Sequence, residues 1–232
     1  MERSAVRTGG ALAMAGGALT AILMLVQPTF DGDLPRQLTS VANADYLSAL
    51  DLASLLATLL ALFGALAIIG TFRGQGAAEW IAGAARPLLL IGATLSLAST
   101  GLAMFAYRLI AQNFVLSTDA NRQSVLDTAF GLNAAVYSLG TLAGLLDYGL
   151  APLVLGTAIV LTGRLPRWLG ALALLGGILE IIVCTISLLP GVSVDLASID
   201  YLASGLIVTA IVGAGLLMFL RPARLTPQPL QR

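Results

Sequence analysis

Long apolar runs separated by short polar stretches dominate the chain. The first runs from Gly9 to Gln27 and stops at Pro28. Others cover Leu47–Gly70, Pro87–Ala111, Trp168–Leu189 (closed by Pro190-Gly191) and Tyr201–Leu220 (closed by Pro222). A membrane-crossing helix needs ~20 mostly apolar residues, and each of these runs meets that length. A sixth crossing is expected within the longest run, Phe130–Gly163, which is interrupted by Asn133 and Asp147. Splitting it near Asp147-Tyr148-Gly149 would leave a second piece of only about 15 residues, short for a span. The better reading is one crossing over 145–163, preceded by an amphipathic helix on the outer side. Pro152 should kink this crossing, because it cannot bond the carbonyl of Tyr148.

The pattern therefore predicts an all-α integral membrane bundle of six transmembrane helices. They span about 9–27, 47–70, 87–111, 145–163, 168–189 and 201–220. Residues 1–220 form one transmembrane domain, and the Pro-rich tail 221–232 is expected to be disordered. Pro87 suits the first turn of the third helix. A short interfacial helix is expected around Trp80 in the preceding loop, 71–86. Arg3 and Arg7 precede the first run as in a signal peptide, but Val26-Gln27-Pro28-Thr29 offers no A-x-A-like cleavage site, so this run reads as an uncleaved anchor.

Composition supports lipid as the solvent. The chain is 58% hydrophobic and 10% charged, against about 25% charged in a soluble domain. Formal net charge is zero, so no basic excess points to nucleic acid. Every basic residue is Arg, as high-GC bacterial coding would produce. His is absent and Cys184 is the single cysteine, which excludes imidazole chemistry, disulfides within the chain and N/S zinc sites. No cofactor and no metal site are expected.

The arginines orient the bundle. Arg3, Arg7, Arg73, Arg86, Arg164, Arg167, Arg221, Arg224 and Arg232 fall on one side of a six-helix arrangement, and only Arg36, Arg108 and Arg122 on the other. Positive charge favours the cytoplasmic side, which places both termini there. Trp80 and Trp168 then lie at the inner interface, and Tyr46, Tyr107, Tyr148 and Tyr201 near the outer one. A weak internal repeat links Gly10-Ala11-Leu12-Ala13 with Gly16-Gly17 to Gly170-Ala171-Leu172-Ala173 with Gly176-Gly177. Small residues suited to helix contacts explain it without a duplication.

Ionisable groups inside hydrocarbon are the best functional pointers. At about 1.5 Å per residue, Glu180 stands about 20 Å beyond Arg167 and Asp147 about 25 Å from Arg164. Asp51 and Arg108 stand at the outer interface. Glu180, Cys184 and Ser187 share one helix face. The candidate ligand-binding residues are therefore Glu180, Asp147, Arg108, Asp51, Cys184 and Ser187, with Glu180 and Asp147 the candidates for catalysis. Plainer roles compete with these. Glu180 could be a satisfied carboxyl, protonated or paired with Arg108. Asp147, Asp45 and Asp200 suit helix capping, Asp51 and Arg108 suit an interface, and Cys184 suits a core. No phosphate loop, nucleophile elbow or HExxH appears.

The stretch Gly156-Thr157-Ala158-Ile159-Val160-Leu161-Thr162-Gly163-Arg164-Leu165-Pro166-Arg167-Trp168-Leu169-Gly170, followed by Gly176-Gly177, resembles the DUF4386 family of bacterial multi-pass membrane proteins. The resemblance implies six spans over nearly the whole chain, an extra apolar helix before the fourth, and no particular activity. This chain lacks the His that many members carry before the fourth span.

Three readings stay open at this point. One is a non-enzymatic protein of the bacterial plasma membrane whose partners are membrane lipids and whose outer half binds a lipid-like or hydrophobic small molecule or a membrane partner. Another is an intramembrane acid catalyst, an isomerase or cyclase acting on an apolar substrate through Glu180 and Asp147. The last is a small proton-coupled transporter. The absent motifs favour the first.

Overall fold

The computed structural model describes residues 2–28, 33–189 and 195–225. The turn expected at Pro190-Gly191 and the tail beyond Leu225 lie outside them. The described residues are helical throughout, apart from short connections, and six helices are long and apolar enough to cross a membrane. The chain is thus a multi-pass helical membrane bundle.

Helix α1 (Arg3–Val26) yields at Gln27-Pro28, as expected from the proline. Helix α2 (Leu34–Asn43) was not anticipated. It starts where the Asp33 carboxylate accepts the Arg36 N–H at 3.3 Å, with Pro35 in its first turn. Helix α3 (Leu47–Gly70) leads through a tight connection, with Gly74 and Gly76 at positive φ, into α4 (Ala77–Gly101). A π-helical turn, Leu102–Tyr107, joins α4 to α5 (Arg108–Leu116) without a break. Helix α6 (Asp119–Gly144) continues through a second π-helical turn, Leu145–Leu150, into α7 (Ala151–Thr162), which Gly163 ends at φ +60°. Helices α8 (Arg167–Ser187), α9 (Ala197–Leu220) and the single turn α10 (Pro222–Leu225) complete the fold.

Several expectations need correction. Pro87 lies inside α4 rather than in a first turn, and Trp80 belongs to the same helix instead of a separate interfacial one. The proline leaves the carbonyl of Gly83 without its helical N–H partner, and α4 continues through it. The outer helix and the fourth span are one rod rather than two elements. Pro152 follows the π turn directly, where the ladder has already shifted register, so its missing N–H is absorbed there. The tail begins in order: Pro222–Leu225 is helical and Leu225 is buried.

Both described chain ends meet at one end of the bundle. Arg7 donates to the carbonyl of Phe219 at 3.3 Å and lies over its ring, 5.3 Å from the centroid. Arg164, in the connection between α7 and α8, donates to the carbonyl of Leu225 at 2.8 Å. Burial pulls the pKa of this guanidinium below its ordinary value, though an arginine stays charged regardless. The main core fills this end, around Val6, Phe72, Leu165, Leu169, Met218 and Leu225. The glycine repeat serves contacts: α1 packs between α3 and α9, and α8 between α7 and α9. Gly10 lies against the backbone of Gly215, and Gly176 against that of Ala203.

The far end is built differently. Helices α1, α3 and α9 have 24 residues each, whereas Ala77–Leu116 has 40 and Asp119–Thr162 has 44. The two long rods rise past the others: Arg108 bonds Ser48 in the first turn of α3, so residues 109–116 reach about 12 Å beyond it at 1.5 Å per residue. They form a pillar whose tip carries the polar side chains of Asp119, Asn121, Arg122, Gln123 and Asp127, all exposed. Helix α2 folds onto the pillar, and Leu38, Val41, Ala111, Phe114 and Ala129 make a second, separate core there.

Candidate functional site

Where the pillar rises beyond the shorter helices, a groove opens between α6 and the far ends of α1, α8 and α9. Its volume is about 520 Å³, within the range of small-molecule sites. Helix α8 contributes Glu180, Val183, Cys184 and Ser187 at three- and four-residue spacing, so one face of the helix lines the groove. Helix α6 contributes Tyr137, Gly140, Thr141 and Gly144, α1 contributes Gln27, and α9 contributes Asp200.

Glu180 is only 5% exposed. Its Oε1 accepts from the Cys184 thiol at 3.5 Å. Gly144 stands opposite, and a Cβ there would come within 3.0 Å of Oε1, so the glycine makes room for the carboxyl. The Asp200 side chain reaches Glu180 from α9 within hydrogen-bonding range. With both carboxyls ionised, Glu180 Oε2 has no donor. Two carboxylates in one site cannot both stay charged without a counterion. The groove lining includes no arginine. Thr141 has committed its hydroxyl proton to the carbonyl of Tyr137 at 2.9 Å, so its oxygen presents lone pairs outward. The site as a whole is rich in acceptors.

The other sequence candidates lie elsewhere. Asp147, in the second π turn, lines an internal cavity of about 50 Å³ together with Thr20, Thr58, Ser96 and Tyr148. Glu180 and Asp147 therefore line different cavities and do not form a catalytic pair across one substrate site. Arg108 donates to the Ser48 hydroxyl and lies 3.5 Å from Asp45. Asp51 feels the Arg108 charge across the same α3–α5 junction. Neither Arg108 nor Asp51 lines the groove, and Arg108 is not the partner of Glu180.

Asp200 is the acidic groove residue that the sequence pattern does not single out as a ligand-binding candidate. It sits in the first turn of α9, as a capping acid would. Yet the carboxylate that accepts a backbone N–H there is that of Asp195, from Ala197 at 3.0 Å. The signal available was the short connection between α8 and α9, which sets the first turn of one beside the last turns of the other. Among the described residues, no cluster of three or more Cys, Asp or Glu could hold a metal ion. No family model matches this chain, no curated protein sequence matches it, and no solved structure matches it.

Proposed function

We propose that this chain is a non-enzymatic protein of a bacterial plasma membrane that binds a cationic amphiphile in the groove at its far end. The Glu180–Asp200 carboxyl pair carries this reading: it lies in an open groove of ligand size whose lining offers acceptors and no positive charge. A primary or quaternary ammonium headgroup satisfies such a pair, and the exposed face of Tyr137 adds cation–π attraction. An alkyl chain would leave the groove along the Leu-rich, lipid-facing surface. The nine arginines on the terminal side put that side in the cytoplasm, so the groove opens toward the opposite leaflet. The Arg-only composition and the resemblance to DUF4386 proteins support the bacterial assignment.

The test is a titration of protein-loaded and empty nanodiscs of zwitterionic lipid with dodecylammonium, dodecyltrimethylammonium and dodecyl phosphate. The two ammonium compounds should bind the protein saturably, and the phosphate should not compete. Glu180→Gln and Asp200→Asn should each weaken binding at least tenfold. Equal binding by the double variant would rule the groove out.

A further inference from the structure

The Asp147 chamber is a second, independent site. It lies between α1, α3, α4, α9 and the second π turn, and no groove residue lines it. Asp147 points its carboxyl at Gly92 of α4, where any Cβ would collide with it. Its Oδ1, packed against Gly92, has no hydrogen-bonding partner among the described residues, while the carboxylate also accepts from the backbone N–H of Ala93. Three hydroxyl-bearing residues, Thr20, Thr58 and Ser96, line the same cavity, as does Tyr148. Thr20 gives its proton to the carbonyl of Gly16 at 2.9 Å, and Thr58 to that of Ser54 at 3.0 Å. The Thr58 oxygen is therefore left as an acceptor, and that of Thr20 already accepts from the Tyr148 hydroxyl and keeps one lone pair. The remaining walls are apolar, including Ala65, Leu89, Ile207 and Ile211, and no arginine is among them.

An unneutralised carboxylate at this depth costs several kcal/mol. Apart from the Ala93 N–H, the surroundings offer oxygen lone pairs and no positive side chain. Such a donor set suits a hard cation. One carboxylate balances a single positive charge, whereas a divalent ion would leave excess charge among the apolar walls. A volume of about 50 Å³ takes roughly three water-sized bodies, that is, a small ion with one or two waters. We propose that the Asp147 chamber binds a small monovalent cation, Na⁺ or Li⁺, through oxygens of Asp147, Thr20, Thr58 and Ser96.

Binding of ²²Na⁺ to the purified protein in nanodiscs, in choline buffer, tests this directly. Saturable binding is expected, displaced by Li⁺ and not by choline. Asp147→Asn should abolish it, and Thr58→Val, which keeps the shape and removes the oxygen, should weaken it at least threefold. Glu180→Gln and Asp200→Asn should bind Na⁺ like the parent protein, so failure of the groove reading would not touch this result. Na⁺ should also raise the unfolding temperature of the parent protein and not that of Asp147→Asn. If Asp147→Asn does not fold, the parent isotherm and Thr58→Val decide. No saturable binding, binding unaffected by Thr58→Val, or binding lost in the groove variants would each overturn the proposal. The first would mean that Asp147 is neutralised by a proton.

Discussion

Glu180 on α8 and Asp200 on α9 approach within hydrogen-bonding range and so link two helices that are neighbours in sequence. Because Glu180 is buried, this contact should contribute to the bundle as well as to ligand recognition. A double-mutant cycle with Glu180→Ala and Asp200→Ala, read by unfolding in mixed micelles, should return a coupling of about 1 kcal/mol. A coupling indistinguishable from zero would show that the two carboxyls do not touch.

The α1–α3 contact rests on glycine at defined places. A Cβ on Gly64 would run into the backbone of Ala13, and one on Gly16 into that of Ala61. Backbone cannot move aside as a flexible side chain can. Gly64→Ala should therefore destabilise the protein by about 1–3 kcal/mol. On the exposed pillar, a Cβ added at Gly131 would meet nothing within 4 Å. Gly131→Ala should stabilise α6 by roughly 0.5–1 kcal/mol. Thermal unfolding of the two variants side by side checks the contrast.

The six crossings were legible because continuous apolar sequence has few alternatives to a membrane span. Helix ends were less so. Residues 77–86 contain Glu79, Trp80 and Arg86 and read as a loop by hydropathy, yet the alanines at 77, 78, 82, 84 and 85 favour helix and start α4 ten residues before Pro87. Helix α2 is too polar to register as a span, although Asp33 and Pro35 marked its start. For the site, depth arithmetic puts Glu180, Asp147, Asp51 and Arg108 in the same outer half. Height says nothing about direction around the helix axes. Direction sends Glu180 to the groove, Asp147 to an inner chamber, and Arg108 and Asp51 to the α3–α5 junction. Asp200 carries no separate signal in the sequence, because an acid in a first turn already has a sufficient explanation in capping.

Arg108 separates a held charge from an idle one. Its side chain is 17% exposed and bonds Ser48, whereas its acidic neighbour Asp45 is fully exposed. Arg108→Ala should destabilise the α3–α5 junction by about 1–2 kcal/mol, since it leaves Asp51 half-buried without its positive neighbour. Asp45→Asn should have no measurable effect, as expected for an exposed pair. Chemical unfolding of both variants tests the asymmetry, and equal losses would contradict it.

The pillar's second core predicts a local failure mode. Leu38 and Phe114 are buried in a cluster separate from the main one. Leu38→Ala should remove about 2–4 kcal/mol from the cap and leave the bundle folded, because the main core does not extend to that position. Proteolysis should then cut near residues 33–46 at an unchanged global unfolding temperature. The same region reports orientation. In a Cys184→Ser background, a membrane-impermeant maleimide applied to intact cells should label Ser124→Cys at the pillar tip. It should label Gln75→Cys, in the α3–α4 connection, only after the membrane is opened. The reverse labelling would place the groove on the cytoplasmic side and invert the leaflet from which a ligand could enter.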